Sequence, residues 1–330
     1  TIYIAELAYG MGLRPLVLTR GYGSDEDRML RQRLQGQAGV GAGVMRAEIA
    51  MQMLIPSSSV TSQAAKIGIQ QHLDSTPYKT EDASKQRPYN YDVVILDDGL
   101  QHHRIVRDFH IVMIKCEQRF GNGHLIPRGI LRQLPQYALE TADLVVLHDR
   151  LQPEQVRGVA EAVTPHLPVS VRTVDSRFMV TGLSEITADG TKWYPSKLGD
   201  LRGCRVIAFC GIGHPAGFFS SVRQLMPSEV LCETQFPDHH DFTEDQLRNI
   251  MEKCSPHTPG DFAREAELTS KVVAITTEKD AFRSGPTIAK AFLPQVDHLL
   301  VLCGKLALDG VGAVAVKAIL NKAVLLSDCR

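Results

Sequence analysis

The chain has 330 residues, 36 Lys and Arg against 37 Asp and Glu, and 44% hydrophobic residues, enough apolar material for two domain cores at roughly 100–200 residues each. The net charge of −1 excludes nucleic-acid binding driven by overall charge. With 22% charged residues, 26 Gly and 17 Pro, the composition excludes a wholly disordered or fibrous chain. No apolar run approaches the roughly 18–20 residues that span a bilayer.

Residue 1 is Thr, and Thr1–Tyr9 reads as the interior of a helix with no basic region, signal core or transit peptide ahead of it. The expectation is a chain that begins partway through a fold. Short β-rich runs then alternate with amphipathic segments, the pattern of a parallel sheet covered by helices. Helices are predicted over Ile2–Met11, Glu26–Leu34 and Arg46–Met53, and strands over Pro15–Thr19, Asp92–Leu96, Phe109–Ile114 and Leu144–Leu147. Ser75–Tyr91 is polar, rich in Pro and Lys and without periodicity, and reads as an inserted surface loop. A helix around Gln152–Val163 leads to a strand over Val169–Thr173. Ala188-Asp189-Gly190 between the β-prone runs at Phe178 and Trp193 is a hairpin signal. The runs Val206–Cys210, Val230–Gln235, Val272–Thr276 and His298–Cys303 again alternate with helices. The predicted architecture is two α/β lobes, 1–175 and 201–330, joined by a hairpin linker at 176–200.

Seven cysteines, at 116, 204, 210, 232, 254, 303 and 329, contain no CxxC pair. That spacing speaks against a zinc site or a disulfide framework and for a reducing compartment.

In open α/β sheets, ligands bind beyond the carboxyl ends of the strands, so the residues after each strand are the candidates. Val93-Val94-Ile95-Leu96 runs into Asp97 and Asp98, a Walker B-like strand end where an Asp can hold the Mg²⁺ that bridges nucleotide phosphates. A single Asp there would read as a helix cap; two, with Gln101 and His102 on the same turn, point to function. Asp238-His239-His240-Asp241 admits three readings: a metal site, a His–carboxylate pair for proton transfer, or a polar loop that starts a helix. Gly39-Val40-Gly41-Ala42-Gly43 lacks a convincing preceding strand. Cys210-Gly211-Ile212-Gly213 reads first as a tight strand-to-helix turn, its spacing not being the dinucleotide fingerprint. Neither G-x-S-x-G nor H-E-x-x-H occurs.

Taken in order, Leu18-Thr19-Arg20-Gly21-Tyr22-Gly23, Ser24-Asp25-Glu26, Asp97 through His102, Arg107-Asp108, Phe120 through Pro127, Phe236 through Thr243 and Thr277-Glu278-Lys279-Asp280 resemble the tetraacyldisaccharide 4'-kinases, the lipid A 4'-kinases. The likeness runs from about residue 3 to about residue 300, and the long insertion makes it closer to plant or algal forms. It implies a P-loop-kinase-like α/β fold of two α/β/α lobes joined by a two-stranded linker. It further implies transfer of the ATP γ-phosphate, with Mg²⁺, to the 4'-hydroxyl of an acylated glucosamine disaccharide 1-phosphate. By the same resemblance Asp25 is the catalytic carboxylate with Glu26 beside it, and the catalytic His is His239 or His240. Asp97 and Asp98 serve the metal, and Glu26, Arg46, Gln101 and Asn122 belong to the substrate and phosphate site.

Two departures stand out. The pattern G-x-x-x-x-G-K-[ST] occurs nowhere in the 330 residues, which reads as a fragment of a longer gene product rather than a degenerate kinase. Arg128-Gly129-Ile130-Leu131-Arg132-Gln133 differs from a family pattern nearer Ala-Gly-Pro-Leu-Arg-Glu. The resemblance also implies peripheral membrane contact through the acyl chains, in the mitochondrion for a plant-like protein or at the cytoplasmic face of a bacterial inner membrane. A non-catalytic lipid-disaccharide-binding protein is the alternative.

Overall fold

Strands buried on both faces must be apolar at successive positions rather than alternate ones. Pro15–Thr19, Leu144–His148 and Cys204–Cys210 are such runs, with almost every residue buried. The computed structural model describes residues 1–21, 24–54, 90–149, 153–254 and 271–328. In chain order its elements are α1 (Ile2–Gly10), β1 (Pro15–Thr19), α2 (Ser24–Arg33), β2 (Gly39–Ala42), α3 (Arg46–Leu54), β3 (Val93–Leu96), β4 (Ile111–Lys115), α4 (Pro135–Glu140), β5 (Leu144–His148), α5 (Pro153–Ala162) and β6 (Arg172–Ile186). They continue with β7 (Trp193–Pro195), β8 (Cys204–Cys210), α6 (Pro215–Gln224), β9 (Glu229–Gln235), α7 (Glu244–Cys254), β10 (Lys271–Thr277), α8 (Glu278–Phe292), β11 (His298–Leu308) and α9 (Gly310–Asp328). The chain forms two compact units, Thr1–Tyr22 with Leu30–Phe178 and Leu306–Arg330, and Gly23–Met29 with Met179–Lys305.

In the first unit β1 lies between β2 and β3, all parallel, with Leu16 opposite Gly39 and Val94. β5 likewise pairs parallel with β4 and with the start of β6, Leu144 standing opposite Ile111 and Arg172. Ala5, Val17, Leu30, Leu34 and Val40 form one buried cluster; Ala8, Leu144, Val146, Val174, Val316 and Leu320 form another, joining α1 and α9 to β5.

β2 is not among the predicted strands: the glycine run Gly39–Ala42 is itself a strand rather than a loop that follows one. Its glycines make room for neighbours, since a Cβ on Gly39 would stand 2.4 Å from the Tyr91 hydroxyl and one on Gly41 2.7 Å from Ile49 Cγ2. Two further boundaries differ. β4 begins at Ile111 rather than Phe109, and the strand predicted at Val169–Thr173 starts only at Arg172, continuing through the run at Phe178 as one 15-residue strand, β6. The insertion predicted at Ser75–Tyr91 lies, but for its last two residues, outside the described residues.

The second unit holds a parallel sheet in the order β11-β10-β8-β9. Its core on one face includes Phe209, Phe242, Ile250, Ile288 and Phe292, with the Phe209 and Phe292 rings stacked at 4.9 Å. The far end of β6 pairs antiparallel with β7, Ile186 opposite Trp193. In the turn between them the Asp189 carboxylate accepts from the Thr187 and Thr191 hydroxyls and from the Thr191 N–H, which holds it down to about 2. Gly190 has φ +69, and a Cβ there would meet the Gly285 carbonyl oxygen at 2.3 Å and Pro286 Cα at 2.4 Å. That contact falls where α8 departs from helical geometry, at Ser284 with φ −126. Position 190 therefore needs a residue that tolerates positive φ and has no side chain. Gly190→Ala is expected to cost about 1–3 kcal/mol in urea unfolding; a loss below about 0.5 kcal/mol would show that hairpin and helix part without penalty.

Candidate active site

In the first unit the parallel pairing brings three strand ends together. The ladder continues past β3 through Asp97 N–H to the Leu18 carbonyl at 2.9 Å, and past β2 through Gly43 N–H to the Thr19 carbonyl at 3.1 Å. Arg20-Gly21, Gly43 through Arg46 and Asp97 through His102 thus leave the same sheet edge. Arg46, the first residue of α3, is only 5% exposed. Its guanidinium donates to the main-chain carbonyls of Asp97 and Asp98, both terminal nitrogens lying 3.3 Å from the latter, and its Nε has no hydrogen-bond partner among the described residues. Burial pulls the Arg46 pKa down, and the Asp98 carboxylate opposes the shift. Arg107 holds the next two carbonyls of the turn, those of Gly99 and Leu100. With their carbonyls gripped by arginines, both carboxylates are left to other partners.

Asp97 Oδ1 accepts a hydrogen bond from the hydroxyl of Thr1, the residue capping α1. Asp98 has φ +46, and its exposed carboxylate lies 3.7 Å from Arg132. His102 sits among cations: burial, then Arg46, Arg107 and Arg104, hold its imidazole below the usual range and so neutral. Asp98 and Gln101 line a cavity of about 380 Å³ with Lys115, Arg119 and Arg132 and an apolar floor that includes Ile114, Phe120 and Leu139. Asn122 is not on its lining. Its amide closes a turn instead, donating to the Arg128 carbonyl at 2.9 Å and accepting from the His124 N–H at 3.1 Å.

In the second unit three more strand ends converge. β8 runs into Gly211-Ile212-Gly213, β9 into Phe236 through Asp241, and β10 into the first turn of α8. Asp280, fully buried, ties them: its Oδ2 accepts from the Gly211 N–H at 3.1 Å and from the Thr277 hydroxyl at 2.6 Å. Its Oδ1 has no hydrogen-bond partner among the described residues and lies 3.5 Å from the Arg283 guanidinium. Arg283 also reaches the His240 carbonyl, at 3.3 Å. A Cβ on Gly211 would come within 3.2 Å of Asp280 and of His240, so the glycine permits the close approach of these loops.

The two adjacent histidines have different surroundings. The His240 ring stacks on Phe236 at 4.9 Å, meets Phe242 edge-on and pairs through Nε2 with Gln246 at 2.9 Å. His239 is more exposed, with φ +59. Its Nε2 lies 3.2 Å from Lys279 Nζ, 3.9 Å from Glu26 and 3.8 Å from Asp238, and its Nδ1 lies 3.3 Å from Arg283. Among the described residues no three His, Cys, Asp or Glu side chains group as a metal site, so the metal reading of Asp238–Asp241 finds no support.

Of the residues singled out in the sequence, the structure brings together Arg46, Asp97, Asp98 and Gln101 in one unit and Glu26 with His239 in the other. Asp25 is the second residue of α2, and its side chain lies outside the described part. Thr1, Lys279, Asp280 and Arg283 were missed as site residues. The Thr277–Asp280 motif marked the place of two of them, but nothing in its spacing shows what a buried Asp280 holds.

Burial raises the Asp280 pKa above the ordinary 3.8, against the pull of Thr277, Gly211 and Arg283. A carboxyl raised in the folded state binds its proton more tightly there than in the unfolded chain, so folding stability falls as pH climbs from about 4 towards the raised value. Asp280→Asn removes that slope, and the stability difference between wild type and variant is expected to shift toward the variant as pH rises above about 4. A pH-independent difference in urea midpoints would contradict it.

The tetraacyldisaccharide-1-P 4'-kinase family model matches residues 1–309. A tetraacyldisaccharide 4'-kinase of Anaeromyxobacter dehalogenans strain 2CP-C is 33% identical over 315 residues, covering 87% of this chain and 68% of the relative. The tetraacyldisaccharide 4'-kinase of Syntrophus aciditrophicus is 31% identical over 298 residues, covering 89% and 72%. A protein of Arabidopsis thaliana named probable tetraacyldisaccharide 4'-kinase, mitochondrial, is 29% identical over 308 residues, covering 92% and 72%. No described helix is long and apolar enough to cross a membrane. With its parallel α/β sheets, its paired aspartates at the end of β3 and a family match over nearly its whole length, the chain belongs to the tetraacyldisaccharide-1-P 4'-kinase family.

Proposed function

We propose that this chain acts in ATP- and Mg²⁺-dependent phosphorylation of the 4'-hydroxyl of tetraacyldisaccharide 1-phosphate. The observation that carries the reading is the Asp97–Asp98 turn, its carbonyls held by buried Arg46 and its first carboxylate against the Thr1 hydroxyl. Carboxylate and hydroxyl oxygens suit a hard cation, and Mg²⁺ takes few protein ligands because phosphates and waters complete its shell. Asp97, Asp98 and Thr1 would hold it. When bound, Mg²⁺·ATP supplies the phosphoryl group and neutralises charge on the phosphates. Gln101, on the cavity shared with Asp98, and the cations Lys115, Arg119 and Arg132 suit an anionic sugar phosphate above an apolar floor. Asn122 acts through the turn that it closes.

A sugar hydroxyl is a poor nucleophile at neutral pH, so a base must take its proton as the new bond forms. Asp25 is assigned that role. Glu26, next to it on α2, and His239 are close partners, whereas the His240 ring is taken up by Phe236, Phe242 and Gln246. His239 is therefore assigned to the acid–base machinery and His240 to the support of the loop. Contact with a membrane would come through the acceptor's acyl chains. The compartment that goes with this reading is the mitochondrion, in line with the name of the Arabidopsis relative; a bacterial protein would work at the cytoplasmic face of the inner membrane.

The test is transfer of labelled phosphate from ATP·Mg²⁺ to a tetraacyl disaccharide 1-phosphate, by this chain and by the same chain extended upstream through a G-x-x-x-x-G-K-[ST] segment. A 4'-phosphorylated product from either supports the reading. Acceptor binding with no product from both would make the protein a lipid-disaccharide binder. In the active form Asp25→Ala is expected to lower kcat by about 10²–10⁴-fold with an unchanged unfolding midpoint; turnover within about tenfold of wild type would remove Asp25 as the base. His239→Ala is expected to lower kcat with little effect on stability. His240→Ala is expected to lose about 1–3 kcal/mol of stability as its stacking and its bond to Gln246 go. The opposite pattern in paired kinetic and urea measurements would exchange the two assignments.

A further inference from the structure

Resting on the reading above, we propose that Lys279 is a positioning residue, which ties the Glu26 carboxylate and the Asp238-His239 loop into one arrangement through its single ammonium group. Lys279 Nζ lies 3.3 Å from Glu26 Oε1, 3.4 Å from Asp238 Oδ1 and 3.2 Å from His239 Nε2. An ammonium has three donors, and three acceptor atoms from two separate segments stand around this one.

The placement of Lys279 is rigid for reasons independent of those contacts. It is the second residue of α8, and the cap of that helix is locked: the Thr277 side chain accepts from the Asp280 N–H at 3.1 Å and donates to the Asp280 carboxylate. Asp280 in turn is fixed to the Gly211 N–H. The residue on each side of Lys279 is acidic, and a cation in the first turn of a helix opposes the helix dipole. A lysine set against local helix preference, with its ammonium among two carboxylates and a ring nitrogen, is placed for those contacts rather than for the helix.

His239 supplies the second line of argument. Its φ of +59 is uncommon for a residue other than glycine, and such a conformation persists only where the surroundings over-determine it. Lys279 and Arg283, one helical turn apart on α8, face its two ring nitrogens. A neutral imidazole has one acceptor nitrogen, so the two cations cannot both be hydrogen-bonded to the ring at once. Lys279 has Glu26 and Asp238 as further acceptors, which lets it hold the loop in either tautomer of the ring. Loss of its ammonium would leave Glu26 and Asp238 without the cation that separates them and take away one of the ring's partners.

The experiment is a double-mutant cycle of Lys279→Met and Glu26→Gln in the active protein, with Lys279→Arg beside it. K279M is expected to lower kcat at least about tenfold, as small misplacements of reacting groups do, while the KM for ATP stays within about twofold, the split that distinguishes positioning of reacting groups from nucleotide binding. K279R, which keeps a cation, is expected to recover most of kcat. The double variant is expected to be about as slow as the slower single variant, since the two changes break one contact. K279M turnover within about twofold of wild type, or single losses that multiply fully, would overturn the proposal. No transfer by wild type in any form would be a failure of the proposed function alone. The contact would then be read from urea midpoints of the same four proteins, where non-additive shifts support it and additive shifts overturn it.

Discussion

A strand buried on both faces has no side on which to carry a polar group, and that constraint arranges the rest of this structure. β1, β5, β8 and the middle of β10 are apolar at successive positions and almost wholly inaccessible, so their polar work is confined to the residues that leave the sheet. Parallel pairing then sends those exits to the same edge within each unit. Chemistry-bearing residues that are far apart in the chain, such as Arg46 and Asp97, or Gly211 and Asp280, meet there without any local feature requiring it.

The same burial makes the few enclosed polar groups strict about partners. An unpaired buried donor or acceptor costs about 1–3 kcal/mol, and more if charged, and the buried charged groups Arg46 and Asp280 are each met in part by main chain. Arg46 and Arg107 give their forked donors to the four successive carbonyls of Asp97 through Leu100. A lysine would offer a point charge in place of that planar fork. Asp280 takes a main-chain N–H and a cap hydroxyl in a position where burial already disfavours its charge. In both units buried ionic groups serve as scaffold, and the partly exposed carboxylates and His239 stand beside them as the groups that can exchange partners.

Legibility followed the range of the interaction. The apolar runs that became β1, β3, β5, β8, β10 and β11 could be read because burial demands the same residue types wherever it occurs. The turn at Asp189-Gly190 could be read because positive φ selects glycine locally. β2 could not: Gly39 and Gly41 are strand residues only because Tyr91, Ile49, Leu18 and Met53 occupy the space that side chains would fill. The two halves of β6 looked like separate strands because its residues are largely partly exposed, without an unbroken apolar stretch.

By itself the sequence determined the α/β class, the strand ends where polar residues collect, and the family, through ordered motifs whose spacing few other folds would produce. Tertiary structure alone decided how the surroundings of the two adjacent histidines differ. His239 and His240 are the same residue type one position apart, and only the packing of Phe236 and Phe242 on one and the cations of α8 around the other separates them. It also decided that Lys279 belongs with Glu26, at a separation of some 250 positions in the chain. A contact between side chains so distant depends on the position of the backbone between them, and no local pattern of residues encodes that position.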